Sequence, residues 1–360
     1  MWLRRSGAFL AALAALAVIV AGASACESKK KETPAPFDED AAVALRAPAS
    51  AATLAMDASP SPRSPSPAAS AGADVSGADA SSASRWAFDC SDTSVPKAGK
   101  SIGHTSVVFK VELSSGKKAA WKPNAKKVKG RYKGEIAAYR LATELGLGNV
   151  PPACFRSIDA ATAAAALAKN AEAAKVFADE VVVDAGKIHG VLIPWIDGLT
   201  FWPLEKEPLR SEARTWLASG AELPKAKLAL AAQASALVVF DFLTGNWDRY
   251  SGENVGLDPS GELVLYIDND AGFMEQPPAD RVARNKARLD ATDRFSRRLV
   301  ERLRALDEER LAKAFGEELD GKPLLSPKVV SLVAARAREL LGVVDAKIGA
   351  RGEAATLYFP

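Results

Sequence analysis

Histidine is almost absent from this sequence, which has two histidines, His104 and His189, among its 360 residues. A Ser-His-Asp triad needs a histidine base, and imidazole is a common zinc ligand. Two isolated histidines therefore argue against both a triad and a histidine-based metal site, and we give neither one a catalytic role.

Cysteine is also scarce, with Cys26, Cys90 and Cys154 lying far apart. A zinc ribbon needs closely spaced cysteine pairs, so this spacing excludes one. An excess of charge of one sign is missing too, because 47 basic and 44 acidic side chains leave a net charge of +3. That balance gives no electrostatic reason to expect a nucleic-acid partner. Hydrophobic residues make up 48% of the chain, enough for a substantial core.

Residues 1–25 have the pattern of a secretory signal peptide. Arg4 and Arg5 precede an apolar run, and small residues then lead to Cys26. A run of small residues that ends at a cysteine resembles the cleavage site of a bacterial lipoprotein, which predicts lipidation of Cys26. Plain cleavage after Ala25 and an uncleaved anchor are the alternatives. All three place the rest of the chain outside the cytoplasm, as a membrane-anchored lipoprotein or a secreted protein.

Cys90 and Cys154 remain if Cys26 carries lipid. They can form a disulfide in an oxidising compartment. Two buried free thiols are the alternative, and both states stay open at this point.

Residues 26–85 are predicted to form a disordered linker. They contain seven prolines and long tracts of alanine and serine. Such a composition cannot bury enough apolar area to offset the conformational entropy of the chain. The expected role of the linker is to hold a folded region, which begins near Trp86, away from a membrane.

The stretch 240–273 contains the acidic residues that point to chemistry. A long apolar helix, 225–242, leads into a loop with Asp248, and a short strand, 263–267, then ends on Asp268. Two acids placed in this way can share a pocket. One can accept a hydroxyl proton while the other holds a divalent cation. Phosphoryl transfer requires those two groups, because its catalysis consists of positioning and charge neutralisation.

A predicted β-hairpin upstream supplies a lysine. Alternating apolar residues over 107–113 predict one strand, and 119–122 predicts the returning strand, which ends on Lys122. Lys122 is either a solvated edge residue or a cation that binds phosphate. Before the hairpin, 97–103 is either a surface turn or an approach at which Gly103 lets backbone N–H groups contact phosphate.

The next predicted element is a helix over 134–145, with Gly146 suited to its C-terminal cap. Glu135 lies in its first turn. Glu135 is either a carboxylate favoured by the helix dipole, an ion-pair partner of Lys122, or a metal ligand.

The middle of the chain is predicted to contain one alanine-rich helix, 160–177, and a hairpin of 180–184 with 187–195. Ile193 and Trp195, at the end of that hairpin, either contact adenine or belong to an aromatic core strand.

The chain beyond Glu275 is predicted to be helical, with amphipathic helices over 293–305 and 308–315 and a third that begins at Ser326 and Pro327. The arginines over 281–304 either favour an acidic substrate or form a solvated helix face.

Four short motifs in this order resemble those of atypical kinases. They are Trp121-Lys122-Pro123, Glu135-Ile136-Ala137-Ala138-Tyr139, Asp241-Phe242-Leu243-Thr244-Gly245-Asn246-Trp247-Asp248-Arg249 and Ile267-Asp268-Asn269-Asp270. They are similar to the lysine strand, glutamate helix, catalytic loop and metal-binding aspartate motif of the secretory-pathway kinases related to Golgi casein kinase (family with sequence similarity twenty). More distant resemblances are to type II phosphatidylinositol 4-kinases and HipA-like kinases.

The resemblance implies a role for each matched residue. Lys122 is expected to contact the α- and β-phosphates of ATP, with Glu135 as its ion-pair partner or as a metal ligand. Asp248 is expected to be the catalytic aspartate. Asp268 is expected to bind Mg²⁺ or Mn²⁺, with Asn254 as a second metal ligand.

The resemblance also implies an α+β, bilobal protein-kinase-like fold. The expected domains are a small, mostly β N-lobe over 86–195, a larger helical C-lobe over 196–350 and a C-terminal tail over 351–360. Two features depart from the secretory kinases: Asp270 stands where they have glycine, and their dense set of disulfides is absent.

The predicted function is therefore an ATP- and metal-dependent phosphotransferase that acts on a hydroxyl acceptor, a protein Ser/Thr or a glycan, outside the cytoplasm. The alternatives are a membrane-tethered pseudokinase or a nucleotide- or partner-binding lipoprotein without turnover, a nucleotidyl transferase on the same fold, and a helical surface-anchored interaction protein.

Lipidation of Cys26 predicts that the protein incorporates labelled palmitate during growth. Cys26→Ala should abolish that label, because the thiol is the attachment point, whereas Cys90→Ala should retain it. Palmitate label that persists in Cys26→Ala would contradict lipidation there. The readout is autoradiography of the purified protein.

Overall fold

The computed structural model describes residues 86–103, 106–318 and 321–360. The predictions for the signal peptide, for lipidation of Cys26 and for the linker over 26–85 lie outside the described residues. Within the described part, an antiparallel sheet comes first and helices dominate the remainder, so the α+β class is confirmed.

Five antiparallel strands form the first sheet, in the order β1-β2-β3-β5-β4. The strands are β1 (Pro96–Ser101), β2 (Phe109–Leu113), β3 (Lys118–Pro123), β4 (Cys154–Asp159) and β5 (Lys187–Pro194). The predicted β2–β3 hairpin is present, with Phe109 opposite Trp121. Most of the segment 97–103 is not a turn, because Lys97 to Ser101 belong to β1 and pair with β2.

Two helices, α2 (Ala160–Leu167) and α3 (Ala171–Glu180), pack against this sheet. The prediction of one alanine-rich helix over 160–177 is wrong. The Asn170 side chain accepts a hydrogen bond from the backbone N–H of Ala173 and so begins a new helix. Asparagine is a strong N-cap because its side chain satisfies a free N–H of the first turn.

The predicted hairpin of 180–184 with 187–195 is wrong in its first half. β5 pairs instead with β3 and β4, while Val181 and Asp184 make only isolated bridges. Strand β4 was not predicted from the sequence. Buried and exposed residues hardly alternate along it, because Phe155, Arg156 and Ser157 in its middle are all half-buried.

A three-stranded sheet, in the order β6-β7-β8, lies beyond the first sheet in the chain. Its strands are β6 (Thr200–Phe201), β7 (Val255–Leu257) and β8 (Val264–Tyr266). The other helices of the described chain are α1 (Tyr132–Glu144), α4 (Leu209–Leu217), α5 (Leu228–Thr244), α6 (Ala279–Ala291), α7 (Arg297–Arg304), α8 (Glu308–Phe315), α9 (Pro327–Arg351) and α10 (Glu353–Thr356). Two three-residue 3₁₀ turns, Lys225–Lys227 and Arg249–Ser251, flank α5.

The described chain has two hydrophobic cores. One lies between the first sheet and helices α2 and α3, and it includes Phe109 and Trp121. The other lies among the later helices, and it includes Ile136 and Leu141 of α1. Helix α1 lies between β3 and β4 in the chain but belongs to the helical core, so it couples the sheet to the helices.

Helix α5 is the central element of the helical core. All its residues from Ala234 to Thr244 are buried, which explains a sequence that is apolar on every side. The stretch Lys225–Thr244 also has the length and mean hydropathy, 1.6, of a membrane span. The burial of this helix shows that a core helix can have the length and hydropathy of a membrane span.

Helix α9 begins as predicted. The Ser326 side chain accepts a hydrogen bond from the backbone N–H of Val329, and Pro327 occupies the first turn. The predicted apolar face is buried, and it consists of Val329, Val333, Ala337, Leu340 and Val344. The last residues also pack into the protein, because Phe359 is fully buried and bridges to Ser296.

A disulfide joins Cys90 to Cys154, at the start of the edge strand β4. This is one of the two states that the sequence left open. Arg156 of the same strand donates hydrogen bonds to the carbonyls of Cys90 and Asp92. The segment before β1 is therefore fastened to the sheet by a covalent bond and by a guanidinium.

Loss of this disulfide should destabilise the protein. The bond spans 64 residues and so restricts the unfolded chain. We expect Cys90→Ser to lower the free energy of unfolding by about 2–4 kcal/mol, seen as a lower urea midpoint without reductant. Reduced wild-type protein is the control and should unfold at the same lower midpoint. Equal midpoints for the variant and the oxidised wild type would refute this expectation.

Candidate functional site

Lys122, near the end of β3, lies at the centre of a cluster of charged side chains, which we call the Lys122 cluster. Its ammonium contacts the carboxylates of Glu135, Asp268 and Asp270, the last at 3.4 Å. Only 8% of Lys122 is exposed. The cluster brings together β3, the first turn of α1 and the chain after β8.

Close packing of the backbone places Glu135 beside the two aspartates. A Cβ on Gly134 would lie 3.0 Å from the carbonyl oxygen of Asn269 and 3.1 Å from the Cα of Asp270. A larger residue would therefore push α1 and Glu135 away. Asp268 has a φ of 56°, a left-handed conformation that is uncommon for residues with a side chain. Backbone strain of this kind persists only where surrounding contacts hold the residue in place, and it is often found at functional sites.

Burial and charge act in opposite directions on the Lys122 cluster. Burial alone lowers the pKa of Lys122, but the surrounding carboxylates outweigh it and raise that pKa well above its ordinary value. Burial raises the pKa of Asp268, yet the charge of Lys122 outweighs this effect and leaves the pKa below its usual range. For Asp270 burial prevails and raises the pKa to about 6. Lys122 and Asp268 are therefore both charged at neutral pH.

A second cation, Arg131, contacts Asp270. Its Nη2 lies 2.5 Å from a carboxylate oxygen of Asp270, and its Nε donates to the Asp270 carbonyl at 3.2 Å. Lys122 and Arg131 together carry two positive charges against three carboxylates, which leaves one net negative charge when all five groups are ionised.

The three carboxylates are close enough to hold a divalent cation. One oxygen each from Glu135, Asp268 and Asp270 lie within 4.8 Å of one another. Mg²⁺ and Mn²⁺ prefer carboxylate oxygens, and the net negative charge of the cluster favours a cation. The donor set therefore fits a hard divalent metal.

Arg249 is fully buried and fastens the turn after α5 to the end of β8. Its Nε donates to both carboxylate oxygens of Asp241, at 3.0 and 3.2 Å. Its Nη1 donates to the carbonyls of Asn254, at 2.7 Å, and Ile267. Its Nη2 donates to the Asn269 side chain at 2.5 Å. One planar guanidinium thus satisfies acceptors on four residues from three parts of the chain.

Asn269 connects Arg249 to the Lys122 cluster. Its Oδ1 accepts from Arg249, and its Nδ2 donates to Glu135 at 3.3 Å. The result is a continuous buried series of polar contacts, Asp241–Arg249–Asn269–Glu135–Lys122, which we call the polar chain. It runs from the core helix α5 to the first sheet.

Asp248 lies in the turn immediately after α5. Its backbone N–H donates to the Asn246 side chain at 3.1 Å, and its carbonyl accepts from Asn254 Nδ2 at 2.8 Å. Its neighbour Arg249 binds the carbonyl that precedes Asp268. The structure therefore places the turn of Asp248 and the strand end of Asp268 side by side, and it gives Asn254 a contact with that turn.

Ile193, predicted to contact nucleotide, lies in β5 beside the lysine strand, and Trp195, predicted with it, lies just after β5. Ile193 pairs with Ala120, two positions before Lys122 on β3. Trp195 follows β5, and the Lys110 ammonium lies 3.8 Å from the centroid of its ring. Lys110 was not predicted from the sequence, since nothing local distinguishes it from a solvated strand residue.

Gly103 lies just beyond β1, in the connection to β2. Its N–H donates to the carbonyl of Val108, and a Cβ on it would lie 1.9 Å from the carbonyl oxygen of Ser106. This close approach requires glycine at that position. A contact between Gly103 and phosphate stays a prediction.

Sequence reasoning missed the pairing of Asp241 with Arg249. A signal for it exists, because Asp241 is the only charged residue of the apolar helix α5, and a buried carboxylate needs a partner. Burial raises the pKa of Asp241 to about 6 in spite of Arg249. Arg131 and Asn269 carry no comparable local signal, since their partners are distant in the chain.

Replacement of Arg249 should destabilise the fold. Arg249→Met leaves the Asp241 carboxylate buried without a counter-ion, so we expect a loss of about 3–5 kcal/mol in the free energy of unfolding, measured by urea denaturation. The control is Arg297→Met, which removes an exposed ion pair with Glu353 and should change stability by less than about 0.5 kcal/mol. A similar, small effect of both substitutions would show that the guanidinium is not needed for stability.

Two crystal structures of the Golgi casein kinase, one with Mn and ADP bound, have the same fold. The alignments cover 74% of this chain and 76% and 75% of those chains, each with a TM-score of 0.55 and 16% sequence identity. The predicted kinase-like fold and the resemblance to the secretory-pathway kinases are confirmed at the level of the fold.

Two sequence comparisons point to one family. Four-jointed box protein 1 of Xiphophorus maculatus is 28% identical over 207 residues, which are 49% of this chain and 46% of the relative. The chain thus spans about half the length of this curated relative. The family model of the four-jointed box protein middle domain matches residues 81–319. Because that match covers well over half of the 360 residues, the chain belongs to the four-jointed box protein family.

Proposed function

We propose that this chain is a kinase-like phosphotransferase that uses ATP and a divalent metal ion to phosphorylate a hydroxyl group outside the cytoplasm. The observation that carries the proposal is the Lys122 cluster, in which one buried lysine meets three carboxylates beside the turn of Asp248. Phosphoryl transfer needs a cation that binds phosphate, a metal site lined by oxygen atoms, and a nearby carboxylate that takes the hydroxyl proton of the acceptor.

Lys122 binds the α- and β-phosphates of ATP in this mechanism, and its ion pair with Glu135 holds the ammonium in place. Asp268, Asn254 and Glu135 would hold the metal ion. Mg²⁺ or Mn²⁺, when bound, neutralises charge on the phosphate oxygens. The polar chain holds these residues at fixed positions relative to one another, because Arg249 also contacts the backbone of Asn254.

Asp248 acts on the acceptor. Its carboxylate takes the hydroxyl proton as the acceptor oxygen bonds to the γ-phosphorus and the bond from that phosphorus to the ADP oxygen breaks. The acceptor is a serine or threonine of a protein or a glycan hydroxyl, so the products are ADP and a phosphate ester.

We place the nucleotide between the two lobes, residues 86–195 and 196–350. The adenine contacts Ile193 and Trp195, and Gly103 approaches the phosphates. The Golgi casein kinase, which shares the fold, has been crystallised with Mn and ADP, and this supports both ligands.

An extracytoplasmic location, with Cys26 as a lipid anchor, agrees with the signal pattern of residues 1–25 and with the disulfide between Cys90 and Cys154. Disulfides persist in oxidising compartments and are rare in the cytosol.

A second candidate function is a membrane-tethered pseudokinase that binds a partner or nucleotide without turnover. The observation that favours it is Asp270, whose carboxylate contacts both Lys122 and Arg131 and so competes with phosphate for these cations. A nucleotidyl transferase would use the same groups, but the acceptor would attack the α-phosphorus, so that AMP is transferred and pyrophosphate leaves.

Labelled ATP decides among these functions. With Mn²⁺ and the full-length protein, label transferred from the γ-phosphate to a peptide or glycan panel indicates a kinase, and label from the α-phosphate alone indicates a nucleotidyl transferase. Asp248→Ala should retain the thermal shift with Mn²⁺ and ATP but reduce turnover about 10²–10⁴-fold. Asp268→Ala should lose the Mn²⁺-dependent shift, since it removes a metal ligand.

The control is Asp280→Ala, an exposed aspartate on α6, which should behave as the wild type. Full turnover in Asp248→Ala would exclude the catalytic assignment. Absence of any shift at millimolar Mn²⁺ and ATP would exclude both transferase functions.

A further inference from the structure

The turn that carries Asp248 has little regular structure of its own. Between the end of α5 and the start of β7 its regular hydrogen bonding is one 3₁₀ turn, Arg249–Ser251, in which Tyr250 departs from helical geometry. Glu253 has a left-handed φ of 63°. A segment of this kind keeps a defined position only through contacts with its surroundings.

Helix α6 supplies contacts before Asp248. Asn285 Nδ2 donates to the carbonyl of Asn246 at 2.8 Å and lies 3.4 Å from the carbonyl of Asp241. Asn246 in turn accepts the backbone N–H of Asp248 at its side-chain oxygen. Asn285 and Asn246 are both almost fully buried, so water does not replace these bonds.

The same helix supplies a contact after Asp248. The Arg288 guanidinium lies over the ring of Tyr250, 3.5 Å from its centroid. Arg288 Nη1 also donates to Asn285 Oδ1 at 3.2 Å. Residues three apart on a helix share a face, so one face of α6 holds both sides of the turn. Leu289, fully buried, anchors this helix in the core.

We propose that Asn285 and Arg288 are positioning residues for Asp248, and this inference rests on the proposed function. Their side chains fix the two ends of the turn, and the turn fixes the carboxylate that takes the acceptor proton. Displacement of a catalytic group by about 1 Å can cost about 10²-fold in rate. Asn285 and Arg288 therefore set kcat from outside the catalytic loop.

The test compares Asn285→Ala and Arg288→Met with a matched control, Lys286→Ala. Lys286 lies on the same helix, and its ion pair with Asp290 is an exposed i,i+4 contact. The probe is Mn²⁺·ATP with the full-length protein, and the readouts are γ-phosphate release or transfer, the Kd of Mn²⁺·ATP and the urea midpoint.

Both variants should lose about 10²-fold in kcat while the Kd of Mn²⁺·ATP stays within about twofold of the wild type. Lys286→Ala should match the wild type in both quantities. Unchanged kcat in folded variants overturns the proposal. A parallel loss of kcat and Mn²⁺·ATP affinity also overturns it, because that result indicates a general structural defect.

Amide hydrogen exchange separates this inference from the proposed function. If the wild type shows no turnover at all, the phosphotransferase assignment fails, but the positioning of the turn remains measurable. Exchange at residues 246–250 should then be at least tenfold faster in Asn285→Ala than in Lys286→Ala, with the Lys122 strand unchanged. Equal exchange in the two variants refutes the positioning role.

Discussion

The buried guanidinium of Arg249 is the contact on which the arrangement of this protein depends. It donates to four residues: Asp241 of the core helix α5, Asn254 just before β7, and Ile267 and Asn269 just after β8. A buried charge is costly unless every donor is paired, so the four partners cannot separate without a large loss in free energy. Through Asn269 and Glu135 the same network reaches Lys122 and thereby the first sheet.

The Lys122 cluster shows how the fold concentrates charge. Three carboxylates meet one lysine, and Arg131 balances only part of the remainder. Asp270 supplies the third carboxylate and so increases the excess of negative charge. Buried groups of like charge at such close range are typical of functional sites, where burial and neighbouring charges shift pKa values.

Local sequence signals predicted the elements whose burial follows a simple period. The alternation of β2, the buried stripe of α9 and the cap at Ser326 all agree with the structure. The single helix predicted over 160–177 was wrong because alanine does not mark the break at Asn170, and β4, the true partner of β5, was missed because it is half-buried along its middle. Burial in these segments depends on neighbours that are distant in the chain.

The sequence by itself determined the order of the chemical groups: a lysine strand, a glutamate helix, an aspartate after an apolar helix and an aspartate after a strand. These are local features, because each depends on a few adjacent residues. Only the tertiary structure decided which groups meet. The contact of Lys122 with Asp270 spans 148 positions in the chain, and that of Arg249 with Asn269 spans 20. Contacts of that kind arise from packing, and no local pattern records them.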